Sequence, residues 1–347
     1  LSLSLLISAG LFLRMARQAS DVDLGFRADD TVVVEVDAGL AGYDEARGLG
    51  LYASVQERLR ALPGVRSASI GATLPFGMVS LGERVRRAGT APAEGARPQT
   101  PAQGQSFGAG WNAVGASYFE TMGLALKSGR LFTDAEAQRS GPSRVALIDD
   151  VLARQLWPEG DAVGRSIEFE TRNSTEPATE VLEVVGIVPA VRTNLFSKTP
   201  GGAVYVPFAQ AYRGNVHFHV RPLDGVSAGM VDAVRREIQS AAPGLPIFQA
   251  KTFGDHVSSS IEYWGVQTMA NLFAAMGMIA TLIALVGIYG AKSYAVMRRT
   301  REIGIRLAIG ATPKGVRQMV LREGLRLGAT GVGLGLVFGL GMGRVLD

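Results

Sequence analysis

Cysteine is absent from this 347-residue chain, which excludes a disulfide scaffold, thiolate metal sites, iron–sulfur clusters and thiol catalysis. Histidine is scarce, with three in all, so a histidine-rich metal centre is not expected. Charge is thin as well: 19% of residues are charged, against about 25% in an ordinary soluble domain. Apolar residues and glycine take up the difference, at 47% hydrophobic, 44 glycines and a mean hydropathy of +0.18. No Walker A loop is present, because Gly310 to Gly315 lacks the G-x4-G-K-[ST] spacing, and no G-x-S-x-G elbow occurs. Catalytic, cofactor-binding and metal-binding residues are therefore not expected. A chain that starts at Leu1 and stops at Asp347 just after an apolar run reads as a segment of a longer protein.

The charges that exist are unevenly placed. Nine basic residues lie between Lys292 and Arg326, with only Glu302 and Glu323 among them, so this stretch carries +7 and the remainder −3. One local patch, rather than a basic surface for nucleic acid, sets the overall sign. Uncharged runs bracket the patch. Gly265 to Ala291 has 27 residues without a charge and Leu327 to Gly343 has 17, where roughly 20 apolar residues cross a bilayer. Both are expected to be transmembrane helices, over 265–291 and 327–347. Leu1 to Leu13 is too short to span alone, so residues 1–18 read as the truncated second half of another. Lys and Arg concentrate in cytoplasmic loops, which places 292–326 inside and 19–264 on the far face. Arg14 and Arg17 are a mild counter-signal.

Residues 19–264 read as an α+β domain with an internal echo. Thr31 to Asp37 is a β-branched strand, and Tyr52, Val55, Leu59 and Leu62 share a helical face. Pro63-Gly64 ends that helix before a strand at Val65 to Ile70. The pattern recurs: Val216 to Arg221 as strand, Ser227 as helix cap, Val231, Val234 and Ile238 as helix face, Pro243-Gly244 as stop, then a strand from Ile247. Two such units at the ends of one domain imply a split ferredoxin-like layer with an inserted β-rich lobe. Residues 77–110, rich in Gly, Pro and Ala without apolar periodicity, are expected to be a flexible loop, with order returning at Trp111. In the lobe, strands are expected at Arg144–Ile148, Ser166–Glu170, Val181–Val188 and Val204–Pro207. A helix over Asp150–Leu156 is expected to be capped by Asp150. His217 and His219 leave one face of a strand, with His256 as a conceivable third ligand. With no further ligand pattern, partly exposed strand histidines are the plainer reading.

Two features carry more weight. Gly331, Gly335, Gly339 and Gly343 recur every four residues in the last span, forming a flat face where another helix backbone packs. The inner loop offers a short amphipathic helix in which Glu302 and Arg306 lie four apart, Ile303, Leu307, Ile305 and Ile309 form an apolar area, and Gly310 ends the helix. Thr312 then caps a second helix with Pro313 at its first position. On these residues alone, resting on anionic lipid and docking on a protein remain equal alternatives.

The run TREIGIRLAIGATPKGVRQMVLREGLRL closely resembles the signature of FtsX-like permeases of the MacB type. Tyr118 to Phe132, Val145 to Gly164, and Val184 to Val188 followed by Val191-Arg192 are similar to the MacB-type periplasmic region. LISAGLFLR and ERLRALPGV resemble the second half of duplicated permeases of that superfamily. The resemblance implies a multi-pass protein of the bacterial inner membrane, with 19–264 periplasmic and an FtsX-like permease domain over 265–347. It further implies a non-enzymatic permease of an ABC-type export or mechanotransmission system. Its inner loop would dock on an ABC ATPase through Arg301, Glu302, Ile303, Gly304, Ile305, Arg306 and Gly310. Further implied partners are another permease half or a second copy, a periplasmic adaptor and membrane lipid, without nucleic acid or cofactor. The alternative is an FtsX-like regulatory scaffold controlling a periplasmic cell-wall hydrolase. Substrate identity stays open.

Overall fold

The computed structural model describes residues 26, 30–77, 79, 81–90, 98–138, 144–170, 181–193, 201–310 and a scatter of positions between 312 and 333. The chain divides into two compact units, Asp23–Glu262 and the pair Leu1–Val22 with Tyr263–Asp347. Its strands are β1 (Val32–Asp37), β2 (Val65–Gly71), β3 (Gly82–Arg87), β4 (Phe107–Val114), β5 (Ser128–Gly129), β6 (Val145–Asp149), β7 (Ser166–Phe169), β8 (Val181–Val188), β9 (Gly202–Pro207), β10 (Asn215–Pro222) and β11 (Ile247–Thr252). Its helices are α1 (Glu45–Ala61), α2 (Tyr118–Met122), α3 (Asp134–Gln138), α4 (Asp150–Leu156), α5 (Ala228–Ala241), α6 (Phe253–Ser258), α7 (Ile261–Arg298) and α8 (Thr300–Ala308).

The first and last thirds of the outer domain build one layer. Strands β11, β1, β10 and β2 lie side by side in that order, each antiparallel to its neighbour. Counted within β1-α1-β2 and β10-α5-β11, the order is 4-1-3-2, the ferredoxin-like arrangement anticipated from the echo. Alternation decides which face the helices cover. Val32, Val34 and Val36 of β1, with Phe218 and Val220 of β10, are fully buried in a core shared with Tyr52, Val55 and Leu59 of α1 and Val234 and Ile238 of α5. Asp44 caps α1 by accepting from Arg47 N at 2.9 Å, and Ser227 caps α5 by accepting from Met230 N at 3.2 Å. After Pro63, Gly64 adopts φ +84°, a conformation that lets the chain reverse into β2 with little strain.

The inserted lobe is more ordered than a handful of short strands. Strands β4, β3, β7, β8, β6 and β9 pair in sequence, and a parallel β4–β9 ladder from Ala109↔Gly202 to Val114↔Pro207 closes them into a ring. One pair, Gly71↔Val114, joins ring to layer, giving an 11-stranded sheet. Two expectations need correction. Within 77–110, residues Gly82–Arg87 form a strand that pairs on both sides, with Phe107–Gly110 and with Ile167–Phe169. Strand β4 also starts at Phe107, before Trp111. The strand GERVRR carries one apolar residue, the fully buried Val85. Its place is held by Arg86 on Glu168 and Arg84 on Glu170, contacts that leave no apolar period to read. At α4 the cap is Asp149, whose Oδ1 accepts from Leu152 N at 2.7 Å. Asp150 instead receives Lys127, Arg154 and the amide of Ala190.

In the other unit, α7 runs 38 residues, about 57 Å at 1.5 Å per residue. It extends past the 27 uncharged positions at both ends. Among the described residues it is the one helix long and apolar enough to cross a membrane. Leu282, Ile283, Leu285 and Val286 are each more than half exposed. The runs 1–13 and 335–343 lie outside the described residues, and so do Gly335, Gly339 and Gly343 of the glycine series. Gly331 is helical, and a Cβ built there meets no atom within 4 Å.

Candidate functional site

The inner end of α7 has a defined joint. Helix geometry lapses for one residue at Arg299, whose amide is shared between Ala295 O at 3.3 Å and Val296 O at 3.1 Å, a bifurcation common at helix ends. Thr300 Oγ1 donates to Met297 O at 2.8 Å and to Val296 O at 3.3 Å, so its hydroxyl takes up carbonyls that the ending helix leaves free. Arg298 lies over the Tyr294 ring, 5.7 Å from its centroid. Helix α8 starts at Thr300 and stops where Gly310 adopts φ +99°, the left-handed stop expected from sequence. Two residues on, Thr312 accepts from Gly315 N through its hydroxyl at 3.3 Å and its carbonyl at 2.9 Å. That is the geometry of an N-cap.

Seven sequence-singled residues thus fall on or just after one nine-residue helix. Arg301, Glu302, Gly304 and Ile305 are exposed, Ile303 is half-buried, and Gly310 closes the turn; of Arg306 the backbone alone is described. Ile305 is 53% and Ile309 81% exposed, an apolar pair on and just after the helix that carries the exposed Arg301 and Glu302. A Cβ on Gly304 would meet nothing within 4 Å, so internal packing within the described residues gives no reason for a glycine there. Such a helix can lay a small mixed apolar and basic face against something else. Thr300 escaped the sequence reading because back-bonding to a preceding turn has no signature beyond the residue type.

Among the described residues no group of three His, Cys, Asp or Glu side chains converges on a metal position. The expectation of partly exposed strand histidines holds for His217, which is half-buried, and is corrected at His219, which is fully buried, while His256 is 9% exposed. Burial pulls all three imidazoles below their ordinary range, His219 to about 3 and His256 to about 4. Desolvation pushes the Asp149 carboxyl up to about 7 despite its cap bond. A cavity of about 470 Å³ lies against Gly82, Arg84, Gly108, Gly110, Glu170 and Thr193. Bonds from Ser106 and Arg84 hold the Glu170 carboxyl below its usual range.

Comparison with known proteins follows this geometry. A family model described as the MacB-like periplasmic core domain matches residues 1–241, and one described as the FtsX-like permease C-terminal matches residues 274–347. The macrolide export ATP-binding/permease protein MacB 2 of Aeromonas hydrophila is 28% identical over 264 residues, covering 71% of this chain and 39% of its own. The macrolide export ATP-binding/permease protein MacB of Neisseria gonorrhoeae is 26% identical over 231 residues, covering 64% and 34%. The chain therefore spans less than half the length of these curated relatives. The crystal structure of the periplasmic region of MacB from Actinobacillus actinomycetemcomitans aligns with a TM-score of 0.42 and 15% identity, over 69% of this chain and 94% of that one.

Proposed function

The chain belongs to the MacB-like periplasmic core domain family, with an FtsX-like permease region behind it, and from that premise we propose that it is the permease component of an ABC-type export or mechanotransmission system. The observation that carries this reading is the exposed helix α8 joined to the inner end of the membrane helix α7. An ATPase partner docks on Arg301, Glu302, Ile303, Gly304, Ile305 and Arg306, with Gly310 ending the docking surface. Glu302 and the arginines supply charge complementarity. Ile305 and Ile309 supply apolar area that leaves water on docking, and Gly304 lets the partner approach the backbone. The basic loop keeps this surface in the cytoplasm, so residues 19–264 stand in the periplasm as the lever that moves.

Energy for this movement comes from the partner, acting on a chain that binds no nucleotide. Residues 327–347, with Gly331, Gly335, Gly339 and Gly343, pack against a further membrane helix of another permease half or a second copy. A periplasmic adaptor is the partner expected on the outer domain.

Co-purification of the full-length protein from native membranes tests this, with ATPase activity assayed on the eluate. We expect an ATP-binding cassette subunit in the eluate. Glu302→Lys and Gly304→Leu are expected to reduce its recovery at least tenfold while leaving the permease in the membrane. Recovery of a peptidoglycan hydrolase without dependence on transport would favour the regulatory-scaffold reading. Undiminished ATPase binding by both variants would reject the docking assignment.

A further inference from the structure

Three imidazoles meet on the face of the ferredoxin-like layer opposite α1 and α5. His217 and His219 alternate along β10, opposite Gly71 and Ser69 of β2 and opposite Glu35 and Val33 of β1. His256 comes from α6, the six-residue helix after β11. Its Nε2 donates to Pro75 O at 3.0 Å, which puts the proton on Nε2 and leaves Nδ1 bare. Among the described residues no partner reaches Nδ1 of His217, His219 or His256, nor Nε2 of His219. The His219 ring stands edge-on to Tyr118 at 5.2 Å, and the His256 ring edge-on to Phe253 at 5.6 Å. Four orphaned ring nitrogens, with aromatic rings against His219 and His256, are an arrangement that tolerates neutral imidazole and resists imidazolium.

The position of this cluster matters. Helix α6 is held to the layer by the His256 bond to Pro75, by Phe253 N on Thr31 O at 2.8 Å, by Lys251 Nζ on Ser259 Oγ at 3.1 Å and by Phe253 against Phe26. Two residues later, after Ser259 and Ser260, the chain enters α7. The cluster therefore sits where the outer domain hands the chain to its membrane helix.

We propose that His217, His219 and His256 form an acid-sensitive latch, closed when the imidazoles are neutral and released when protons enter, freeing the 72–77 turn and α6, the helix that precedes the membrane helix in the chain. The surrounding charges are few and mixed. Glu35 of β1 favours protonation of His217 and His256, whereas Lys251 of β11 opposes it. Asp255 of α6 acts on Lys251, and His219 faces its two fellow imidazoles and the neutral phenol of Tyr118. Residues 72–77 contribute a carbonyl and no titratable group. Because the closed-state values lie below the ordinary imidazole value near 6.5, closure is complete above that value. It weakens as pH falls through 6.5 and is fully spent only below the closed-state values.

Hydrogen–deuterium exchange of the full-length protein in lipid nanodiscs reads the latch directly, after correction for intrinsic amide exchange. Between pH 7.5 and 5.5, release of one imidazole raises the opening constant of residues 253–260 about tenfold, and release of two about a hundredfold. Peptides covering Leu182 to Ile187 in the ring are the internal control and should stay flat. His256→Gln keeps an amide donor for Pro75 O without a titrating ring, and should cut the rise by about tenfold. His219→Leu should do the same where it folds. An opening constant that does not change with pH, or a rise that His256→Gln leaves intact, would overturn the latch. This readout needs no ATPase, so its outcome is independent of the docking assignment on α8.

Discussion

The same residue types do opposite things in the two units. In the outer domain Val34, Phe218 and Leu182 are fully buried, each packed into a core that extends through the layer and the ring. Along α7, Leu282 is 63% and Ile283 67% exposed, as are most of the large apolar side chains around them. Burial in protein is what makes an apolar residue informative about fold in water. In lipid the surrounding medium is as apolar as leucine, and packing rests on small residues and close backbone approach. The comparison separates two kinds of apolar residue that composition counts alike: those that choose a tertiary neighbour and those that choose a solvent.

Truncation should expose that difference most sharply. Phe218→Ala removes a fully buried ring that meets Tyr52 edge-on at 5.8 Å. It should destabilise the outer domain by about 3–5 kcal/mol, read as a fall in the denaturation midpoint of the purified protein. Leu282→Ala, at an exposed position of α7, leaves no cavity and should cost about 0.5 kcal/mol of insertion free energy. Comparable losses at both positions would mean that α7 is packed on all sides by protein.

Ion pairs divide the outer domain in the same way. Arg86 and Glu168 join β3 to β7 with side chains 13% and 7% exposed, whereas Arg47 and Asp44 are 65% and 62% exposed. Arg86→Ala strands a desolvated carboxylate and should cost about 3 kcal/mol. Arg47→Ala should leave the denaturation midpoint almost unchanged, because water screens an exposed pair. Exchange protection of residues 82–87 in the Arg86 variant measures whether this pair keeps β3 in the sheet.

That strand also marks how far the sequence could be read. The ferredoxin-like layer was legible because its strands and helices repeat in the same order and each carries its own apolar period; Val231, Val234 and Ile238 sit at helical spacing whatever surrounds them. Closure of the ring was not legible, since β4 and β9 meet across nearly 90 intervening residues and no local pattern encodes a parallel register. Strand β3 was hidden because its cohesion lies in Arg84, Arg86 and their carboxylate partners some 80 residues away. At the inner joint, Gly310 and Thr312 announced a stop and a start through residue type alone. The histidine cluster failed for the opposite reason: alternation placed His217 and His219 on one face but could not say that α2 and α6 cover it.

The smallest effect tests the joint itself. Thr300→Val keeps the shape of the side chain and removes the hydroxyl that bonds Met297 O and Val296 O. Those carbonyls lie at an exposed helix end where water can replace the donor, so stability should change by less than about 0.5 kcal/mol. What should change is the definition of the break at Arg299, because local back-bonding is what bends or interrupts a helix at such a residue. Spin labels at Tyr289 and Ala308, one on each side of the break, should give a broader distance distribution in the variant than in the parent. An unchanged, narrow distribution would move the origin of the break to the basic run at Arg298 and Arg299. The joint would then be set by charge and solvent rather than by a specific contact of the kind that orders the outer domain.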